Sequence, residues 1–212
     1  MDMKRHYYED VQLFTSGVVV FWFSVSIVFL ALFPFIFKNY YIYMANYMAI
    51  NVIVVIGLNL LVGYTGQISL GHAGFFAIGA YGTIVLMSKA HFPFILALPA
   101  AALVAALFGF LLGLPALRLE GPYLAIATLG FGLTITQVIG RIELFGGRQG
   151  LHAPDLIIGP WNFDTDRSFY YLLITITVLL TVAARNLIKT RVGRAFIAIR
   201  DADIAAQTIG VN

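Results

Sequence analysis

The sequence predicts an all-α membrane protein: a polytopic bundle of about six hydrophobic segments that ends in a short cytoplasmic helix. Three observations carry this. Hydrophobic residues make up 60% of the chain and charged residues 11%, with a mean hydropathy of +0.90; soluble domains hold about 45–50% apolar and about 25% charged residues. The apolar runs match or exceed the ~20 residues that cross a bilayer as a helix. They lack period-2 alternation, so helices rather than a closed barrel satisfy the backbone in lipid.

Charges and helix breakers divide the chain. Residues 1–10 are polar. Residues 18–37 form a first span, too long for a signal-peptide core and without a small-x-small cleavage site. Residues 41–62 form a second. Residues 66–87 are a third span, or a broken, re-entrant one, because they are rich in glycine. Residues 94–114 form a fourth, flanked by Pro93 and Pro115, and residues 123–139 a short fifth. Residues 141–167 are a polar loop, 169–184 a sixth span, and 186–212 a basic, alanine-rich tail. Residues 1–185 therefore read as the membrane region and 186–212 as a separate cytoplasmic element.

Lysine and arginine set the orientation. If all six segments cross with the N-terminus inside, Lys4, Arg5, Arg118, Arg185, Lys189, Arg191, Arg194 and Arg200 lie inside, against Lys38, Lys89, Arg141, Arg148 and Arg167 outside. If residues 66–87 fail to cross, the N-terminus moves outside. The tail is the firmer anchor, with five basic residues between 185 and 200.

The stretch GQISLGHAGFFAIGAYG, residues 66–82, places glycine, Gln67, Ser69 and His72 inside the longest uncharged run of the chain. Small residues let helices approach closely in membranes. At helical spacing Ser69, Ala73 and Ala77 form one stripe, with Gly71, Gly74 and Gly82 in the neighbouring sector. Gly71, Ala73, Ala77 and Gly82 are thus packing positions. Gly63 and Gly66 flank Tyr64-Thr65, where a helix can unwind. Polar groups at depth face the bundle interior or a wet path, so Gln67, Ser69, His72, Gly74 and Asn59 are the candidates for a translocation path. Half-helix N-termini attract anionic groups, and an amino acid's carboxylate would suit one. Hydrogen bonding between helices is the plainer role for His72, and equally for Asn51, Asn59 and Gln137.

In the tail, Thr190 is a candidate N-cap and Gly210 a candidate stop. Between them Ala195, Ala198, Ile199, Ala202, Ala205, Ala206 and Ile209 recur at helical spacing. A helix with alanine on its apolar side gains little from lipid and suits docking onto a protein.

The run GRAFIAIRDADIAAQTIGVN resembles the EAA-type coupling loop of ABC-importer permeases, with an AAxxxG core at Ala205, Ala206 and Gly210 and the acid at Asp203. Its GRAxxAIRDxxxAAxxxG form, together with NLLVGYTGQISLGHAGFFAIGAY, GPYLAIATLGFG and FGGRQGL in order, is similar to the branched-chain amino acid permease family over about residues 40–212. The resemblance implies that the tail seats on an ATP-binding subunit through Gly193, Arg194, Ala198, Arg200, Asp201, Ala205, Ala206 and Gly210. It implies a second permease subunit, an extracytoplasmic binding protein and a bacterial or archaeal cytoplasmic membrane. No cofactor is then expected on this chain, ATP and magnesium being held by partner subunits. It also implies a chain that stops short, since the family's coupling loop lies mid-chain. One departure lies within span five: shortly after its FG, relatives often carry an acid and a base, where FGLTITQVIG offers only Thr134, Thr136 and Gln137.

No phosphate loop occurs, and His6, His72, His91 and His152 lack metal-ligand spacing. No nucleophile–base set speaks for an intramembrane enzyme, and a net charge of +3 does not call for nucleic acid. Two other functions stay open: the same permease type for another small polar solute such as urea, and a stand-alone channel or secondary transporter.

Overall fold

The computed structural model describes residues 17–116, 119, 121–158 and 161–202. Among these, α1 (Gly17–Ile36), α2 (Asn39–Leu58), a π-helical turn (Asn59–Tyr64), α3 (His72–Ser88), α4 (Phe94–Ala116), α5 (Pro122–Ile139), α6 (Asp166–Lys189) and α7 (Arg191–Asp201) follow in order. The loop after α5 holds two 3-10 turns, Glu143–Phe145 and Gly147–Gln149. It also pairs β1 (Ile157–Ile158) with β2 (Trp161–Asn162), antiparallel, Ile157 facing Asn162. Among the described residues 5 helices are long and apolar enough to span: α1, α2 with its π turn, α4, α5 and α6. α3, with 17 residues, is about 25 Å long and falls short of a hydrocarbon core of about 30 Å.

The helices pack in two groups of three. In the first, α2 lies along α6, and α1 joins them. Asn46 on α2 donates Nδ2 to the carbonyl of Asp166 at 3.1 Å. Pro34 inside α1 has no N–H to give the Leu30 carbonyl. Tyr170 on α6, 1% exposed, donates its hydroxyl to that carbonyl at 3.1 Å and stacks on Phe33. Tyr171 donates to the next one, Ala31, at 2.8 Å.

In the second group α3 is paired with α4 and α5. A Cβ on Gly82 would stand 3.3 Å from Ala101 Cβ, and Phe75 faces Gly109, so α3 and α4 run antiparallel. Ala97 and Ala101 are buried in this seam. Phe75 also meets Phe131 of α5 at 4.9 Å between ring centres.

The order of contacts traces the course of the glycine-rich segment through the bundle. Its start, beside Gly63 and Gly66, touches Arg200 of α7. Its far end carries Tyr81, whose ring meets Phe145 in the loop after α5. α3 itself begins level with Gly57 of α2, where a Cβ would lie 3.8 Å from His72 Nε2. That is about 10 Å from the end of the π turn. The chain thus passes the α7-side part of the bundle as a non-helical strip, residues 66–71, and the rest as α3. The segment is therefore broken, and it runs from the α7 end of the bundle toward the loop after α5.

Large apolar side chains remain exposed over most of the bundle, Leu103 at 72% and Tyr123 at 71% among them. Such surface suits lipid or neighbouring helices.

Candidate functional site

The break is built by backbone chemistry. The π turn widens the end of α2, and Asn59 folds its side-chain oxygen over Gly63 into the space that a Cβ there would need. Thr65 donates its hydroxyl back to the Leu61 carbonyl. Gly66 then takes φ +72, the left-handed conformation with which helices often end. Each helix leaves its last carbonyls without an N–H partner. Here one of them, Gly63, accepts from Arg200 Nη1 of α7 at 2.9 Å. A Cβ on Gly66 would stand 2.9 Å from Arg200 Cγ, so the arginine stem lies on the bare glycine. Arg200 Nε also pairs with Asp201 at 3.0 Å.

The strip after the break is seated on α5. Leu70 donates its backbone N–H to Thr128 Oγ1 at 3.0 Å. Gly71 lies on the Thr128 carbonyl so closely that no Cβ fits. A Cβ on Gly74 would stand 3.0 Å from Gly132 Cα, and one on Gly132 3.4 Å from Gly71 Cα. Three glycines and one threonine thus bring backbone against backbone. Ser69 is buried in this region, and Gln67 is half-buried one residue past Gly66. His72 opens α3, with its Nδ1 buried and unpartnered among the described residues. With Thr128→Val, the Leu70 N–H loses its acceptor in a part-buried contact; the expected cost is about 1 kcal/mol, read as a lower melting temperature, while Thr128→Ser should stay close to wild type.

Several positions differ from the sequence reading. Ser69 precedes α3, so the Ser69–Ala73–Ala77 stripe is not a helical one: Ala73 is exposed and Ala77 half-buried. Gly74, grouped with the path, lies in the α3–α5 seam. Asn51 is exposed and bonds Tyr47 of its own helix at 2.8 Å rather than another helix. Asn59 sits at the break, apart from His72, whose neighbour is Gly57. Gln137 lines, with Thr136, Gly140 and Arg141, an open cleft of about 320 Å³ toward the end of α5. Thr128 and Asn46 were missed. A threonine or asparagine in an apolar run was a usable signal for both.

α7 is hung from α6 by a tight corner. Thr190 accepts the Gly193 N–H at 3.4 Å as N-cap. Gly193 is buried against the backbone of Ile188, with no room for a Cβ. Arg194 reaches back to the Lys189 carbonyl at 3.5 Å, while Ala198 is half-buried. Ala202 takes φ −162, ψ 90, so α7 ends at Asp201. Ala205, Ala206 and Gly210 lie outside the described residues, as does Asp203.

A family model described as the permease component of a branched-chain amino acid transport system matches residues 40–212. The high-affinity branched-chain amino acid transport system permease protein LivM of Escherichia coli (strain K12) is 36% identical over 216 aligned positions, covering 90% of this chain and 51% of that protein. LivM of Salmonella typhimurium (strain LT2) is 36% identical over 204 positions, covering 84% of this chain and 48% of that protein. The chain spans about half the length of these relatives. No solved structure matches it. With the family's pattern covering residues 40–212 and the helices arranged as above, the chain belongs to the branched-chain amino acid transport permease family.

Proposed function

We propose that this chain is the transmembrane permease part of an ATP-driven ABC importer for leucine, isoleucine and valine, in the cytoplasmic membrane of a bacterium or archaeon. The observation that carries this is the position of α7: a basic helix fixed at the end of the bundle where a spanning helix breaks. The concentration of arginine and lysine there supports a cytoplasmic location for that end. ATP-binding subunits engage α7 and its continuation, and ATP and magnesium are theirs. An extracytoplasmic binding protein delivers the amino acid to the opposite end, near the loop of residues 141–167. A second permease subunit completes the path.

Gln67, Ser69 and His72 line that path in this reading. The buried nitrogen of His72 and the positive end of α3 together suit a carboxylate passing mid-membrane. The test is the complete complex in proteoliposomes. Uptake of leucine, isoleucine and valine should require ATP and be stimulated by binding protein. Uptake that survives without ATP under a proton gradient would favour a secondary transporter instead. A complex that is stimulated by urea and not by these amino acids would move the substrate, while leaving the architecture intact.

A further inference from the structure

We infer that Arg200 is the strut through which displacement of α7 reaches the break, with the Gly63 carbonyl and the bare face of Gly66 as its seat. The inference rests on the importer reading above and assigns a positioning residue within it. The resemblance directs Arg200 toward the partner ATPase. In the structure its guanidinium instead points into its own chain, donating to Gly63, while its stem lies on Gly66.

Three independent features meet at this joint. The Gly63 carbonyl belongs to the final turn of a helix, where the ladder has run out and the partial charge is negative. A guanidinium supplies both the missing donor and the opposite charge, the stronger kind of hydrogen bond. Gly66 has a second reason to be glycine besides its φ of +72, because a Cβ would displace the arginine stem. Asp201 holds Nε and so fixes the plane of the guanidinium, leaving Nη1 for the carbonyl.

The consequence is mechanical. α6 and α7 meet at a corner without slack, since Gly193 is pressed on Ile188. Motion of α7 about that corner moves Arg200 relative to α2. The Gly63–Gly66 link is where the motion arrives, and the strip leading to Ser69 and His72 starts there. Arg200 therefore sets the position of the strip without touching substrate.

The experiment measures amino acid taken up per ATP hydrolysed by the complete complex in proteoliposomes, for wild type, R200A, R200K and G66A, with subunit composition checked in each. The wild-type ratio is established first. If wild-type uptake needs no ATP, the importer reading fails by itself, before any variant is compared. In R200A the complex should retain its ATPase subunits, and uptake per ATP should fall by about tenfold or more, the loss of one charge-assisted hydrogen bond. Lysine keeps a cationic donor, so R200K should recover to within about threefold of wild type. G66A, which leaves the outward surface of α7 unchanged, should show a loss similar to that of R200A. An R200A complex with the wild-type ratio overturns the inference. So does one that sheds its ATPase subunits, since Arg200 is then a partner contact. If R200A does not assemble, G66A decides, and a wild-type ratio there overturns the inference.

Discussion

Gly71→Val is expected to prevent stable assembly of the permease, with melting in detergent lowered by several degrees and uptake reduced to background. The obstacle is backbone. The first carbon of any side chain at 71 would collide with the Thr128 carbonyl, and Thr128 cannot turn away because it sits in mid-helix on α5. Overpacking in a well-filled interior costs about 1–3 kcal/mol, and more when nothing flexible can yield. Shifting the strip would also break the Leu70–Thr128 hydrogen bond. The sum exceeds about 3 kcal/mol, more than a hundredfold in the ratio of folded to unfolded protein. Gly79 is the control. It lies on α3 with nothing within 4 Å of its would-be Cβ. Gly79→Ala should be neutral or slightly stabilising, by up to about 1 kcal/mol from helix propensity. Thermal melts of both variants in one detergent decide the matter, and equal behaviour would refute the seating described above.

Gly193→Ala should separate folding from coupling. Its methyl would meet the Ile188 backbone at the corner between α6 and α7. To make room α7 must swing away, which loosens the Thr190 cap and draws Arg200 off Gly63. A cap is worth about 1 kcal/mol and a charge-assisted hydrogen bond about 1.5–3 kcal/mol. The docked orientation should therefore lose on the order of a hundredfold in population. The corner lies at the very end of α6, beyond the contacts α6 makes with α1 and α2 near Tyr170 and Asp166, so melting should change little. ATP-dependent uptake should fall at least tenfold. Normal uptake would show that α7 tolerates reorientation.

Much of this was legible in the sequence. Apolar run lengths located the spans within a few residues, and Gly63 with Gly66 marked the break. Arg185 to Arg200 marked the tail. The partners of these features were not legible. A helical wheel assumes a helix, and residues 66–71 are not one, so the predicted face of Ser69, Ala73 and Ala77 had no basis. Gly74 was grouped with the path, and its packing partner was hidden because that neighbour, Gly132, is 58 residues away. Arg200 read as a contact to the ATP-binding subunit, and its bond to Gly63 was not legible because a backbone carbonyl leaves no trace in a residue code. Hydropathy reports what each stretch avoids, whereas contacts between backbones depend on which glycines happen to face each other.

The Pro34–Tyr170 pairing bears on how the chain is made. Spans enter the bilayer in order of synthesis, so α1 enters ahead of α6, carrying a Leu30 carbonyl that Pro34 cannot satisfy. In lipid such a group stays costly until a donor arrives. That donor is the hydroxyl of Tyr170, 140 residues later, on the last span described. α1 is therefore incomplete until α6 emerges, and closing that bond gives the nascent bundle a point at which α1 becomes part of the fold.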